Sequence, residues 1–401
     1  MNGTIFKVTL SGTITTLYKF CSQPKCADGL ISFAGLTLGT DGNFYGTTSE
    51  GGAYNGGTVF NVTPQGSLTT LHSFQPATDG SVSSGNLVQG IGGEFFGTTE
   101  YGGAYGHGTV FKIAPLGELT TIYDFCSQPS CSDGDVAVGG LVQGPDGNFY
   151  GATQEGGIVP PTGNCGTFYG CGTIFSITPT GAYTVLHAFD GTDGDAPYNG
   201  LIAAADGYLY GTTAGGGAYD LGTVFKITPQ GAFTSLFSFD DTPGAIPWAS
   251  LVEANDGKFY GTTYYNIAGG SSTIFQIASD GALTTLHNFI RLEAHTLIGL
   301  VQGTDGAFYG SNAAIFRLSM GLPPIVKTVP LMGPVGTQVI ILGTNLTGAT
   351  SVDFNGIPTD FTVVSATEIT ASVPAGASTG KVQVTTPGGR LLTVGGFVVT
   401  P

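Results

Sequence analysis

Short stretches of alternating apolar and polar residues, broken by turns, run along almost the whole chain. In Thr58-Val-Phe-Asn-Val-Thr63, Val59, Asn61 and Thr63 are expected on one face and Phe60 and Val62 on the other. That period of two marks a β-strand. Gly, Thr and β-branched residues fill every window, so no helix is expected. Asp41-Gly-Asn43 and Pro64-Gln-Gly66 read as tight hairpin turns in which Gly or Asn takes positive φ.

These stretches repeat. Asp41-Gly-Asn-Phe-Tyr-Gly-Thr-Thr48 recurs in varied form, and the glycine after its aromatic pair falls at 46, 97, 151, 211, 261 and 310, spaced by 51, 54, 60, 50 and 49 residues. A second element follows at Gly57–Phe60, Gly108–Phe111, Gly172–Phe175, Gly222–Phe225 and Ser272–Phe275. It also stands alone at Gly3–Phe6 and, weakly, at Ala314–Phe316. A third, Thr-Thr-Leu-x-x-Phe, ends at Phe74 and Phe289, with variants ending at Phe20, Phe125, Phe189 and Phe239. Each period therefore holds four strands: A (as at Leu141–Gly144), B (Phe-Tyr-Gly-Thr-Thr), C (Thr-Val-Phe-Lys-Ile) and D (Thr-Thr-Leu-His-Ser-Phe). Four antiparallel strands at a period of about 50 residues make a β-propeller blade, whereas β-solenoid periods are usually shorter. Six blades are expected, with a truncated seven-blade ring as the alternative. In the six-blade reading residues 3–20 complete the blade begun by residues 297–311, and one C-type strand is surplus.

At Pro323-Pro324 the repeat stops, and strands are expected at Gly336–Leu342, Thr350–Phe354, Thr362–Val364, Glu368–Val373, Lys381–Thr385 and Gly395–Val399.

The pattern DGNFYGTTxxGGAYxxGTVFKITPxG…TTLHSF resembles the GloVer tandem repeat over residues 1–318. That resemblance implies a bacterial extracytoplasmic protein with a C-terminal surface anchor, and it implies no known biochemical activity. Gly333-Pro-Val-Gly-Thr-Gln-Val-Ile-Ile-Leu-Gly-Thr-Asn-Leu346, Val352–Gly356, Val373–Gly380 and Val384–Gly389 resemble an IPT/TIG domain, which implies an immunoglobulin-like sandwich acting as a spacer or binding module. The expected fold is all-β: a β-propeller over residues 1–320, then a small immunoglobulin-like β-sandwich over 323–401.

Composition narrows the function. Lys and Arg number 11 against 27 Asp and Glu, a net charge of −16 in 401 residues, which argues against a nucleic-acid partner. The last segment carries just Lys327, Lys381 and Arg390, so DNA binding by its module is a poor reading. No run of 18 apolar residues exists, so no membrane-spanning helix is expected. Met1–Phe6 already reads as a strand and lacks the basic-then-apolar pattern of a signal peptide; the chain is expected to begin inside a repeat, with an upstream piece missing from the gene model. Cys21/Cys26, Cys126/Cys131 and Cys165/Cys171 form local pairs in short loops, and disulfides outweigh zinc ligation or free thiols as the reading. With the low charge, they point to an extracellular or cell-surface protein.

In a propeller the D–A and B–C links share one face, and here they are the long ones, so ligand contacts are expected there. Tyr54, Tyr105 and Tyr219 recur on the B–C links. Repetition favours a packing role against the next blade; the functional reading is stacking on a sugar. Glu50, Glu100, Glu155 and Glu293 lie near that face, with His107 and His295, as acid/base candidates for glycoside chemistry. His72, His187 and His287 share one D-strand register and read as structural. Asp28, Asp79, Asp133 and Asp193 on the D–A links could circle a Ca²⁺ ion, although Asp-Gly is also good turn chemistry. No catalytic residue, resident metal or cofactor is assigned. HExxH, GxSxG, a phosphate-binding glycine loop and CxxC are all missing from the sequence. The expected function is non-catalytic binding of a polysaccharide or surface protein, with a carbohydrate-active enzyme on the same face as the alternative and the oligomeric state open.

Overall fold

The computed structural model describes residues 2–9, 12–158, 165, 170–242, 244–264, 272–289, 298–312 and 314–400. Glu293 and His295 lie outside them, as do Tyr265 and Asn266. The protein is all-β in a six-blade β-propeller arrangement with a C-terminal sheet-rich domain, and its helical segments among the described residues are two 3₁₀ turns, Pro24–Cys26 and Pro129–Cys131.

The chain divides into two units, Met1–Leu201 with Pro229–Gly231, and Ile202–Thr228 with Ala232–Pro401. The first holds a hairpin, Thr4–Val8 with Ile14–Lys19, and three antiparallel four-stranded sheets. Sheet one runs Thr37–Leu38, Phe44–Thr48, Thr58–Val62, Leu68–Ser73. Sheet two runs Val88–Gln89, Phe95–Thr99, Thr109–Ile113, Leu119–Asp124. Sheet three runs Val142–Gln143, Phe149–Thr153, Thr173–Ile177, Tyr183–Ala188.

The second unit holds a sheet at Ile202–Ala203, Leu209–Thr213, Thr223–Ile227, Phe233–Ser238 and another at Val252–Glu253, Phe259–Thr263, Thr273–Ile277, Leu283–Asn288. A three-stranded sheet follows: Ile298–Gln302, Phe308–Asn312, Ala314–Leu318. Its last strand is the C-type strand expected to be surplus. It pairs with Phe308–Asn312 and takes the third place in that sheet, and the hairpin of the first unit is a sheet of two strands.

Strand C corrects the expected alternation. Val59, Phe60 and Val62 are all buried, and only Asn61 is partly exposed. Both faces of a blade meet a neighbour, so inward and outward positions are both apolar. Aromatic contacts between successive sheets repeat accordingly. The D-strand phenylalanine meets the next C-strand phenylalanine edge-on, Phe74 with Phe111 at 5.2 Å and Phe125 with Phe175 at 5.4 Å. The second B-strand aromatic stacks on the first of the next sheet, Tyr45 on Phe95 at 3.9 Å and Phe96 on Phe149 at 4.0 Å. The glycine between these layers leaves room for them: a Cβ on Gly46 would sit 2.8 Å from Phe60 Cζ and 2.9 Å from Leu36 Cδ2.

In the C-terminal segment, Ile325–Val329 is shared between two strand groups, pairing in parallel with Gly389–Thr393 and antiparallel with Gln338–Leu342. Val326, Val339, Ile341, Val352, Phe354, Ile369 and Val384 form the core, all within 1% of full burial. The six expected strands are present with shifted ends. Met332–Pro334 and Ile357–Thr359 escaped the sequence reading because each has three residues and contains Pro; Ile325–Val329 and Gly389–Thr393 were missed as well, the first set between Pro324 and Pro330 and the second opening on the Gly of a turn.

Candidate functional site

In each blade of the first unit the D–A and B–C links lie side by side because they hydrogen-bond one another. Leu30 N–H donates to the Glu50 carbonyl at 2.7 Å, Ser81 to Tyr101 at 2.7 Å, and Asp135 to Glu155 at 2.9 Å. Beside each pair stands a non-glycine residue in the left-handed region: Ile31 (φ 54°), Val82 (58°) and Val136 (56°). For β-branched residues that conformation costs roughly 1–3 kcal/mol each. Val82 explains the persistence. Its N–H donates to the Gly56 carbonyl of sheet one, and its carbonyl accepts from Glu100 of sheet two, so one strained residue clamps two blades.

The D–A aspartates do not form an open carboxylate circle. Asp28 accepts from the Tyr18 hydroxyl (2.8 Å), the Ser22 N–H and hydroxyl, and the Gln23 N–H. Asp133 repeats this with Tyr123, Ser127 and Gln128. Asp79 and Asp193 meet His72 Nε2 and His187 Nε2, each at 2.8 Å. The turn reading of these aspartates is therefore the one the geometry supports, and the Ca²⁺ circle is set aside. The register also explains the repeated histidines, because His72 and His187 do what Tyr18 and Tyr123 do. Where the D-strand residue is Phe237, which has no donor, the residue before the link glycine is Pro243 instead of Asp. His287 stands edge-on to Phe289 at 4.6 Å.

The disulfides Cys21–Cys26, Cys126–Cys131 and Cys165–Cys171 are formed as expected. Among the described residues, the groups whose ligand atoms converge within 4.8 Å are His107 with Cys126 and Cys131, and Asp195 with Cys165 and Cys171. Both depend on half-cystine sulfurs, which are not the thiolates a metal needs.

Tyr54, Tyr105 and Tyr219 stand 57%, 56% and 61% exposed, so more than half of each side chain is open to solvent. They are held out by glycine turns; Gly51 and Gly52 have φ of 79° and 77°. Tyr101 is also about half exposed.

Within the first unit, three of the expected residues come together. His107 Nδ1 lies 2.9 Å from Asp135 Oδ2, and the Asp135 side chain is 5% exposed. Glu155 is directly opposite Asp135 on an antiparallel bridge. Its carboxyl is pushed up by burial, then by the charges of Asp135 and Asp195, against the opposing pull of His107. Burial pushes up Glu100 against the Ser84 hydroxyl. The Tyr101 phenol is raised by burial and then by Glu100, Glu155 and Asp135; that of Tyr198 by burial and then by Glu155 and Asp195. Glu50 stays apart, exposed beside Leu30.

The sequence reading missed Asp135, Asp195, Tyr101 and Tyr198. A signal for the aspartates was present: the position after the link glycine is Leu30, Ser81, Asp135, Asp195 and Ala245 in successive copies, acidic in only two. Two concavities are seen among the described residues, and neither is lined by His107, Asp135 or Glu155. One, of about 390 Å³, includes Tyr123, Asp133 and Tyr183; another, of about 560 Å³, includes Thr350, Pro358 and Phe361.

The Gloeobacter/Verrucomicrobia repeat matches residues 1–171 and 161–321, and the IPT/TIG domain matches 323–398. The chain belongs to the Gloeobacter/Verrucomicrobia repeat family and carries a C-terminal IPT/TIG domain. No curated protein matches it. Among solved structures it is similar to a putative TolB from Agrobacterium tumefaciens (11% identity, 69% of this chain and 85% of that one, TM-score 0.41). It is also similar to a putative 6-phosphogluconolactonase from Bacteroides fragilis (17%, 85% and 90%, 0.41) and to the soluble aldose sugar dehydrogenase of Escherichia coli (13%, 71% and 94%, 0.44).

Proposed function

We propose that this chain is a non-catalytic binding protein of the extracellular space or cell surface, whose long-link face receives a glycan. The carrying observation is the exposure of Tyr54, Tyr105 and Tyr219 in a fold that buries most of its other repeated aromatics. A ring with a polar tip stacks on a sugar face and hydrogen-bonds its hydroxyls. Three disulfides fit an oxidising compartment. Residues 1–320 form the receiving module and residues 323–401 the spacer that sets it off from a surface. The charge of −16 disfavours nucleic acid, and among the described residues no helix is long and apolar enough to cross a membrane.

One observation favours a second reading. Burial pushes the carboxyls of Glu100 and Glu155 up from their ordinary value on this face, the direction the acid of a glycosidase needs. The deciding experiment incubates the protein with bacterial and plant polysaccharides and assays bound protein and released oligosaccharides in one tube. Binding without products, lost on Tyr54→Ala/Tyr105→Ala/Tyr219→Ala, supports the binding reading. Released products that disappear in Glu155→Gln establish the enzyme instead.

A further inference from the structure

Within the second unit, the link that enters the sheet at Val252–Glu253 carries Trp248, the sole tryptophan of the chain. Strand Phe259–Thr263 of the same sheet is followed directly by Tyr264. The two rings rest on each other, with centroids 4.6 Å apart and planes inclined by 35°. They stand 37% and 39% exposed, whereas the repeated rings of that sheet, Phe259, Tyr260 and Phe275, are at most 2% exposed.

The fold does not call for these rings. Ile246 is left-handed (φ 55°); its N–H donates to the Leu221 carbonyl at 2.9 Å, and its carbonyl accepts from the Tyr264 N–H at 2.9 Å. Val82 and Val136 build the same clamp in sheets two and three, and there the N–H in the place of Tyr264 comes from Glu100 and Gln154. Two residues beyond each clamp, where this copy has Trp248, those copies have Ser84 and Val138. The first and fourth copies have a ring at that position, Phe33 and Tyr198, but Ser49 and Ala214 in the place of Tyr264. A ring at both positions is therefore a departure of one copy from the repeat. A residue that the shared architecture does without, and that faces solvent, is free to serve a ligand.

We infer that Trp248 and Tyr264 form a stacking subsite for a neutral, β-linked, glucose-configured ring of the bound glycan. Such a ring holds its hydroxyls equatorial and turns C–H groups to both faces, an apolar surface that suits an aromatic pair with an N–H and an O–H at its edges. The pair is pre-organised. The rings brace each other, Pro247 precedes Trp248, and the Thr212 hydroxyl donates to the Pro247 carbonyl at 3.3 Å. Rigid aromatic side chains on a fixed backbone lose little entropy when a ligand arrives. Charge selects the sugar class. Residues 244–251 have no charged side chain, and a net charge of −16 repels a uronate or sulfated polymer. The inference rests on the glycan-binding reading and names a subsite and a sugar class for it.

The test uses the full chain and its single tryptophan, whose emission reports on this subsite alone. Cellohexaose, laminarihexaose, hexagalacturonate and decaproline are titrated in turn, followed by fluorescence and by calorimetry. A saturable change in emission with one of the two glucose hexamers is expected, together with heat of binding. Trp248→Val and Tyr264→Gln place at each position what sheet three has there, so both variants are expected to fold, which their unfolding midpoints verify. Each should weaken the glucose hexamer by at least about 10-fold in calorimetry. Unchanged emission with both glucose hexamers, or unchanged affinity in the two variants, overturns the inference. So does tighter binding of hexagalacturonate, or a response to decaproline alone. If another polysaccharide binds, the triple tyrosine variant abolishes that binding and the tryptophan does not respond, the glycan reading survives and the Trp248–Tyr264 assignment fails. If no polysaccharide binds, both fail.

Discussion

Tyr150 donates its hydroxyl to Asp146 across 2.6 Å, four residues back along the chain. The same bond joins Tyr45 to Asp41, Tyr210 to Asp206, Tyr260 to Asp256 and Tyr309 to Asp305. In the second copy the tyrosine is Phe96, and the residue four back is Gly92. Hydroxyl and carboxylate disappear together, which marks the pair as one device: Asp closes the A–B turn through the N–H two residues on and then anchors the buried ring. Burial, and after it the bond to Asp41 and the Asp41 charge, raise the Tyr45 phenol to about 12.

Tyr150→Phe should therefore lower stability by about 1–2 kcal/mol, since it leaves Asp146 without its buried-side donor. Gly92→Asp/Phe96→Tyr should recover more stability together than the two single changes summed. Urea unfolding of the four proteins in that double-mutant cycle checks both.

His72 gives a sharper test of a repeated residue. His72→Tyr reproduces the Tyr18–Asp28 arrangement and should unfold within about 0.5 kcal/mol of the parent. His72→Phe removes the partner of Asp79 Oδ2, while Oδ1 keeps the Gln75 N–H, and should cost roughly 1–3 kcal/mol. Loss of a shared enzymatic or binding function in His72→Tyr, with stability intact, would contradict the structural assignment.

Gly46→Ala forces a methyl into the Phe60–Leu36 layer. An overpacking cost of about 1–3 kcal/mol is expected, visible as a lowered midpoint in thermal unfolding.

These aromatic and turn devices were legible in the sequence because they repeat, and strands of period two declare themselves. The blade bookkeeping was less so. Pairing decides whether Ala314–Leu318 ends one sheet or Thr4–Val8 begins it, and pairing is not local. The candidate site was half legible. His107, Glu100 and Glu155 stood out as titratable residues on long links. Asp135 did not, because it looks like one more turn aspartate until its bridge to Glu155 places it beside a second carboxylate. Tyr54, Tyr105 and Tyr219 read from repetition both as blade packing and as sugar stacking, because a repeated residue serves either, and their exposure is visible only in the structure.

The pH dependence of stability should have two opposed parts. Glu155 and Glu100 titrate above the usual 4.5 when folded, so the native state takes up their protons first, and acidification from above the folded value toward 4.5 stabilises the protein. Glu155→Gln should flatten that gain. Asp28 and Asp305 behave inversely. Burial raises each, but the Tyr18 and Ser22 donors at Asp28, and Tyr309 and Arg317 at Asp305, outweigh it and hold both below the usual 3.8. Their contribution is full above 3.8 and is lost as pH falls through the lowered folded values. Unfolding free energies measured across that range in parent and Glu155→Gln separate the two parts.

The central claim is that ligand meets the long-link face. Amide hydrogen exchange with and without a saturating bound polysaccharide tests it most directly. The account predicts protection on ligand binding at residues 50–57, 100–107, 135–136 and 155–157. Protection confined to the opposite turns, 39–43 and 63–67 and their counterparts, would contradict it.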